Sequence, residues 1–295
     1  MAVASYPQMT QFLQEISPSP PSATSNAHSN SSTDSTLTIH YLAHGATPNQ
    51  SSLTIPLNPP TTLLQTLEIS LHGSPATAYR MPDPYNTWFT SCFGFPVELV
   101  YLGSSRRSPR FSNLTSSSSS PTTSSSSASA PQIAQSLTFT DCAPYLITSS
   151  ASLSSVSSRI ASEMDITKFR PNILLSGAKE AWDEDYWSRI QIESEKAQTE
   201  VALLHNCVRC KSINIDYATG KPGTGVKGEV LKRLQGDRRV DQGARWSPVF
   251  GRYGFWVGGG KGREEKEEVV WRVGDKVRVT GVNRERTVWS WPNLG

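Results

Sequence analysis

Two cysteines three positions apart, Cys207 and Cys210, stand in the run Asn206-Cys-Val-Arg-Cys-Lys-Ser-Ile-Asn-Ile-Asp-Tyr-Ala-Thr-Gly220, with Arg209 between them. A thiolate is a soft metal ligand and a strong nucleophile, and a neighbouring guanidinium favours its ionised form. Three chemistries are open to such a pair: metal ligation, a redox dithiol, or plain buried cysteines. A structural zinc needs a second pair of ligands at comparable spacing. Here Cys92 and Cys142 are isolated, and His205 is the only histidine of the second half. A redox dithiol opens a helix after a strand, whereas Ile213-Asn-Ile-Asp216 reads as extended. Against inert buried cysteines stands Arg209, a charge out of place beside a purely apolar pair.

Other polar residues sit where apolar ones would be expected. Arg170 and Asn172 open the apolar run Phe169-Arg-Pro-Asn-Ile-Leu-Leu175. Either the loop acids Asp183–Asp185 satisfy Arg170, or Arg170, Asn172 and Arg209 form a cationic pocket for a phosphate or another oxygen-rich ligand. Thr140-Asp-Cys142 reads as turn chemistry or as part of the same pocket. There is no P-loop, no Gly-x-Gly-x-x-Gly after a strand, and no Gly-x-Ser-x-Gly elbow. Gly258-Gly-Gly-Lys-Gly262 is expected at the tip of a charged surface hairpin over Gly258–Glu268.

The elements that must position these residues follow from pattern. Leu37–Leu42, Ser52–Leu57 and Leu67–His72 alternate as strands, Met9–Ile16 does so less strictly, and Ala46–Gln50 supplies turn residues. Asp83–Phe93 changes to a helical period, with Trp88, Phe89 and Cys92 on one face and Asp83 or Asn86 as cap. Phe95–Leu102 returns to strand. Leu137–Ile147 reads as strand, turn, strand. Ser149 or Ser150 caps a helix whose stripe is Leu153, Val156, Ile160 and Met164. Asp183–Trp187 is an acidic aromatic loop before the strand at Arg189–Ile192. Glu229–Leu234 is a short helix, Pro248–Trp256 a strand, and Val273–Val279 a turn and strand.

Of the 295 residues, 36% are hydrophobic, below the roughly 45–50% of ordinary globular chains. The deficit is local. Pro18–Ser35 and Ser104–Pro131 are rich in Ser, Thr, Pro and Asn and are expected as disordered loops, the second opening on Arg106, Arg107 and Arg110. A net charge of +3 does not argue for nucleic acid or an anionic membrane. Four dispersed cysteines do not form a secreted disulfide framework. Nothing reads as a signal peptide, and no stretch approaches the roughly 20 apolar residues of a membrane span. The default compartment is therefore the reducing cytoplasm.

Taken together, the second half resembles the MOSC family, named for the C-terminal domain of molybdenum cofactor sulfurases. The resemblance rests on Thr140-Asp141, Phe169-Arg-Pro-Asn172, Tyr186-Trp187, Cys207-Val-Arg-Cys210, Asp216 with Thr219-Gly220, Pro248-Val-Phe-Gly-Arg-Tyr253 and Val273-Gly-Asp275, in family-like order over roughly residues 133–280. Within that family the chain looks most similar to the mitochondrial amidoxime-reducing components. The fold so implied is α+β and β-rich: a MOSC β-barrel domain with a few peripheral helices over residues 133–282, preceded by a partial N-terminal β-barrel domain over 1–103, with the Ser-rich loop 104–132 between them and a tail over 283–295. Relatives carry, before the point that Ser5-Tyr-Pro-Gln-Met-Thr10 resembles, a strand with Pro, Val or Ile, Lys and Ser and then a cofactor-binding Arg. About fifty residues of that N-terminal domain are therefore expected to be absent from this sequence.

The resemblance implies a molybdenum cofactor, a metal held by a pyranopterin dithiolene and one protein thiolate, matching Cys210. Thr140, Asp141, Cys142, Arg170, Asn172, Val208, Arg209 and Tyr253 match cofactor-contacting positions, and Asp141 is the candidate proton source. The implied chemistry is oxygen-atom transfer from an N-hydroxylated substrate of the amidoxime or hydroxylamine type. Electrons would come from a cytochrome b5-type partner with its reductase. The same resemblance carries a family-level association with pyridoxal phosphate binding, and it makes the mitochondrion the alternative compartment. The competing expectation is a non-catalytic cofactor carrier, or a degenerate paralogue with merely structural cysteines.

Overall fold

The computed structural model describes residues 2–17, 35–42, 52–112, 136–257 and 269–294. Nearly all of the Pro18–Ser35 insertion, the polyserine tract, the Ala46–Gln50 turn and the Gly258–Glu268 hairpin lie outside the described residues. The strands are β1 (Phe12–Ser17), β2 (Thr36–Tyr41), β3 (Ser52–Pro56), β4 (Thr66–Leu71), β5 (Ser74–Arg80), β6 (Val100–Tyr101), β7 (Tyr145–Ser149), β8 (Ile173–Leu175), β9 (Trp187–Glu193), β10 (Gln198–Val208), β11 (Ile215–Asp216), β12 (Lys221–Pro222), β13 (Val249–Val257) and β14 (Lys276–Val282). The helices are α1 (Asp83–Phe93), α2 (Ser150–Ile160), α3 (Gly225–Gly228) and α4 (Val230–Gln235). The fold is β-rich with few helices, as expected. The chain divides into two compact units: Met1–Ile69, Ala76–Ser105 and Ile215–Gly223 form the first, and Ser70–Pro75, Arg106–Asn214 and Thr224–Gly295 the second.

The first unit holds the antiparallel sheet β1-β2-β3, the sheet β4-β5-β6 and the β11–β12 pair. The alternation at Met9–Ile16 resolves into a 3-10 turn, Pro7–Gln11, followed by β1. Helix α1 has the expected bounds, and its aromatic face closes on Phe12, whose ring lies 5.0 Å from Phe93 and 5.6 Å from Phe89. The strand expected over Phe95–Leu102 shrinks to Val100–Tyr101. Side chains of α1 replace the ladder: Val97 N–H donates to Thr90 Oγ1 and Leu99 N–H to Asn86 Oδ1.

The second unit is built on one six-stranded sheet, ordered β14-β9-β10-β13-β7-β8, antiparallel except for the β7–β8 pair. It curls as half a barrel. In β13, Gly251 has φ +80°, and a Cβ there would lie 2.9 Å from the Ile147 carbonyl oxygen. That closeness is what lets β7 and β13 pair where the sheet bends. Helix α2 is capped by Ser149, whose hydroxyl accepts from Ser152 N–H, and its Val156 and Ile160 are buried with Met164, Phe169 and Phe250. The expected C-terminal tail instead returns to the core: Trp289 and Trp291 pack with Phe111, Tyr253 and Phe255.

Two acids of the expected acidic aromatic loop, Glu184 and Asp185, are fully buried in the 3-10 turn Asp183–Tyr186. Both oxygens of Asp185 accept from Arg238 Nη2 at 2.8 Å, and Oδ2 also accepts from Arg286 Nε at 2.8 Å. Glu184 Oε2 accepts from the hydroxyls of Ser149 (2.9 Å) and Ser152 (2.8 Å) at the N-terminus of α2, where a negative group meets the positive helix end. Removing one member of a buried ion pair leaves its partner charged and desolvated. Asp185→Ala is therefore expected to lower unfolding free energy by about 3–5 kcal/mol in urea titration; a loss under about 1 kcal/mol would show that this cluster does not anchor the turn.

Burial pushes the Glu184 carboxyl up, and its Ser152 and Ser149 hydrogen bonds do not offset that rise. A carboxyl raised by folding contributes stability that is complete below its unfolded value and is lost as pH rises through the folded one. The stability of the wild type relative to Glu184→Gln should thus fall as the pH is raised from the ordinary glutamate value, about 4, into the neutral range. A difference that stays flat across that range would mean that Glu184 does not bind its proton more tightly in the fold.

Candidate functional site

Strand β10 delivers the cysteine pair through irregular pairing with β13: the register shifts between Leu203 and His205 and again between Asn206 and Val208. Such bulges re-aim side chains at a strand end. Beyond it, Arg209 N–H donates to the Pro248 carbonyl at 2.8 Å; of the segment Ile213–Asp216 expected as extended, the first half belongs to the 3-10 turn Lys211–Asn214 and the second half is strand β11. The two thiols part company here. Cys210 is exposed, with Sγ 3.3 Å from Ser212 Oγ. Cys207 is buried in the core that also takes Cys142 and Tyr253, with Val208 packed partly against it. The Tyr253 hydroxyl is hydrogen-bonded to both buried thiols. Burial pushes Cys142 and Cys207 up, more than the Arg209 charge and the Tyr253 hydrogen bond bring Cys207 down, and burial also raises Tyr253. The two buried thiols stay protonated at neutral pH.

Arg209 is buried beside Phe169 and Phe250, with its guanidinium carbon 5.2 and 5.6 Å from the two ring centroids. Nε donates to the Phe250 carbonyl and Nη1 to the Phe169 carbonyl, each at 2.9 Å. Nη2 is buried with no hydrogen-bond partner. Arg209 thus ties β13 to the turn that ends at Phe169 and keeps one donor nitrogen free.

The Thr140–Cys142 segment is shaped by a residue expected in a disordered basic stretch. Arg107 is fully buried and pairs with Leu137 in an isolated bridge. Its Nε donates to the Thr138 carbonyl at 2.8 Å, its Nη1 to the Leu71 carbonyl at 3.0 Å, and its Nη2 to the carbonyls of Thr140 and Asp141. Thr140 Oγ1 is left buried without a partner. The Asp141 carboxylate lies between His72, with Nε2 3.3 Å from Oδ1, and Arg170, whose Nη2 donates to Oδ2 at 2.9 Å. His72 adopts a positive φ of 54°, and its carbonyl accepts from Trp291 Nε1 at 2.8 Å.

Burial pushes the Asp141 carboxyl up, but the His72 hydrogen bond and the Arg170 and Arg209 charges outweigh burial and hold it below the ordinary carboxylate range. An ionised carboxylate accepts protons rather than supplying them, which counts against Asp141 as the acid. Arg170 sits at a left-handed corner with φ 52°, its side chain half exposed. Asn172 is committed to β7: its Oδ1 accepts from Leu146 N–H at 2.8 Å and its N–H donates to the Leu146 carbonyl at 2.9 Å.

The residues brought together are Thr140, Asp141, Cys142, Arg170, Cys207, Arg209 and Tyr253, with His72 and Arg107 added. Nothing in sequence marks Arg107, because its partners lie at positions 71 and 138–141. His72 carried one signal, its place at the end of an alternating strand before Gly73. Among the described residues no group of three or more His, Cys, Asp or Glu could hold a metal. A metal at this site would rest on the single exposed thiolate of Cys210, and a carrier ligand would supply its other donors. The donor set fits such a group: a soft sulfur for the metal, and a buried hydroxyl and guanidinium nitrogen without partners for ligand oxygens.

Comparison with known proteins bears on the same region. Residues 134–278 match the family model of the MOSC domain. Over 123 residues the chain is 34% identical to the human mitochondrial amidoxime-reducing component 1 and 36% identical to the Macaca fascicularis mitochondrial amidoxime reducing component 2, covering 40% of this chain and 34% of each relative. It is 28% identical over 164 residues to the molybdenum cofactor sulfurase of Oryza sativa subsp. japonica, covering 52% of this chain and 18% of that protein. The chain thus spans about a third of the length of the amidoxime-reducing relatives it matches.

The separation of the thiols has a direct readout. Limited treatment with a maleimide at neutral pH should label Cys210 before Cys92, whose thiol burial raises, and leave Cys142 and Cys207 unlabelled until the chain unfolds. Peptide mass spectrometry showing Cys207 labelled as early as Cys210 would contradict the burial that separates them.

Proposed function

The chain carries a MOSC domain, and on that premise we propose that it binds a molybdenum cofactor through Cys210 and reduces N-hydroxylated compounds of the amidoxime or hydroxylamine type. One observation carries the proposal: Cys210, next in the chain to the buried Arg209, is exposed, while Cys142 and Cys207 are buried. The names of the relatives support the substrate class.

Each residue then has a part that its environment allows. Cys210 supplies the thiolate. Arg209 Nη2 and Thr140 Oγ1, buried without partners, are donors for pterin and phosphate oxygens. Arg170 adds an accessible positive charge, fixed by Asp141. Asn172 and Arg107 hold the backbone on which these groups stand. Cys207, Cys142 and Tyr253 form the packed floor, and Val208 offers apolar contact and main-chain groups. When bound, the cofactor would take the oxygen atom of the N–O bond and give the two electrons that its cleavage needs. The product amine also needs protons, and within the Asp141 pair the imidazole of His72 is the group able to pass one, with the ionised carboxylate orienting the ring.

Expression in a host that makes the cofactor, followed by metal analysis, tests this directly. Molybdenum near one per chain is expected, lost in Cys210→Ser and retained in Cys207→Ser. Wild-type protein without molybdenum would sink the proposal. Reduction of benzamidoxime with dithionite then separates an enzyme from a cofactor carrier, since a carrier holds the metal without turnover.

A further inference from the structure

A ligand sulfur donates to a metal through its lone pairs, and what else those lone pairs meet sets how strongly it does so. Among the described residues the Cys210 sulfur has one hydrogen-bond partner: Ser212 Oγ lies 3.3 Å from Sγ. The two residues differ in setting, since Cys210 is exposed and Ser212 is buried. The 3-10 turn Lys211–Asn214 brings them together, by carrying a hydroxyl two residues further on back to the thiol.

A serine on a helical turn ordinarily returns its hydroxyl to a main-chain carbonyl three or four residues earlier. Ser91 does so with Trp88 at 2.7 Å, Ser157 with Leu153 at 3.1 Å and Ser158 with Ser154 at 3.0 Å. Ser212 departs from that habit. A buried hydroxyl must find a partner, and among the described residues its partner is the sulfur.

The main chain is fixed on both sides of the pair. Arg209 N–H donates to the Pro248 carbonyl at 2.8 Å. Ile213 is buried with Val230 and Leu234 of α4, and Leu231 N–H donates to Asn214 Oδ1 at 2.9 Å. The approach of oxygen to sulfur therefore follows from the turn and not from a loose surface rotamer. Chemistry sets the direction of the bond. A thiolate, the form that ligates metal, has no proton to give, so the hydroxyl donates.

We propose that Ser212 is a positioning residue for Cys210: its hydroxyl donates to the Cys210 thiolate and lowers the electron donation of that sulfur. For a bound metal this rests on the functional reading above. Hydrogen bonds to a ligand sulfur withdraw charge from it, which favours the reduced metal over the oxidised one and raises the reduction potential. The bond itself needs no metal, and a bare thiolate feels the same withdrawal as a loss of nucleophilicity.

The test compares the full chain with four variants. Ser212→Ala and Ser212→Val lack the hydroxyl; Ser212→Thr keeps it in the shape of valine. Ser158→Ala removes a hydroxyl bonded to a main-chain carbonyl. Metal-free protein is treated with iodoacetamide at about pH 10, where an exposed thiol is ionised, and Cys210 alkylation is followed by peptide mass spectrometry. Ser212→Ala and Ser212→Val should react about threefold faster than the wild type, and Ser212→Thr and Ser158→Ala at its rate. Cys142 and Cys207 should stay unlabelled throughout, which reports an intact fold. In protein from a cofactor-making host, a redox titration followed by electron paramagnetic resonance should find reduction about tenfold less favourable in Ser212→Ala, about 59 mV for one electron. Ser212→Thr should restore the wild-type potential. Equal alkylation rates for Ser212→Val and Ser212→Thr would overturn the proposal, as would an unchanged potential in Ser212→Ala that retains molybdenum. Wild-type protein without molybdenum would refute the functional reading instead, and the alkylation rates would still decide the hydrogen bond.

Discussion

Main-chain carbonyls on irregular loops need hydrogen-bond donors that a sheet would otherwise supply, and in this protein buried arginines supply them. Arg107 serves four carbonyls, at Leu71, Thr138, Thr140 and Asp141. Arg252, fully buried, serves those of Leu203, Asp185 and Trp187, together with Asn206 Oδ1 and Thr287 Oγ1. Burial pushes Arg252 down to about 10, against the raising influence of Asp185 and Asp241, so it remains charged at neutral pH. Taking a guanidinium out of water costs several kcal/mol unless its donors are met. Five rigid donors can hold several strands of backbone at once, which lysine cannot do. The site loops are thus as firmly placed as strands without being strands.

Arg209 belongs to this group with one difference. It binds two carbonyls, lies beside two phenylalanine rings, and leaves Nη2 without a partner in a buried position. Thr140 Oγ1 is orphaned in the same way. Among the residues brought together at the site, these two are the buried side-chain donors without partners. The cysteines show a parallel contrast: two thiols are locked with Tyr253 in the core, and one is turned outward by the bulged end of β10.

Much of the frame was legible from local pattern. Helix α1 starts and stops where its period does, Ser149 caps α2 as its place before the apolar stripe implies, and β13 follows the run Pro248–Trp256. The misses share a cause. Arg107 and the acids Glu184 and Asp185 look like solvated charge because their partners are distant in sequence, at Leu71, Ser149 and Arg238. Trp289-Ser-Trp291 reads as a tail until Asp241 and His72 fix it. Ile213 and Ile215 alternate like a strand, yet Lys211–Asn214 turns as a 3-10 helix because Asn214 caps Leu231 and Ile213 fills the cluster under α4. Of the site itself, Cys207, Cys210, Arg209, Arg170 and Asn172 stood out by type and spacing and the resemblance added Val208 and Tyr253, but neither told that Asn172 is bound to Leu146 or that His72 and Arg170 hold the Asp141 carboxyl down.

The orphaned donors tie ligand and fold together. An unpaired buried polar group costs about 1–3 kcal/mol, so Arg209 Nη2 and Thr140 Oγ1 weaken the protein by itself. A ligand that offers oxygens to both removes that cost only in the folded state, and binding of that kind raises stability by mass action. The same guanidinium that braces Phe169 and Phe250 would then sense the ligand, and Cys210, one residue on, would feel it through the backbone that Pro248 holds. Loop order and ligand retention are therefore properties of one set of hydrogen bonds. A change at Arg209 should disturb both, whereas a change at the exposed Cys210 should disturb retention alone.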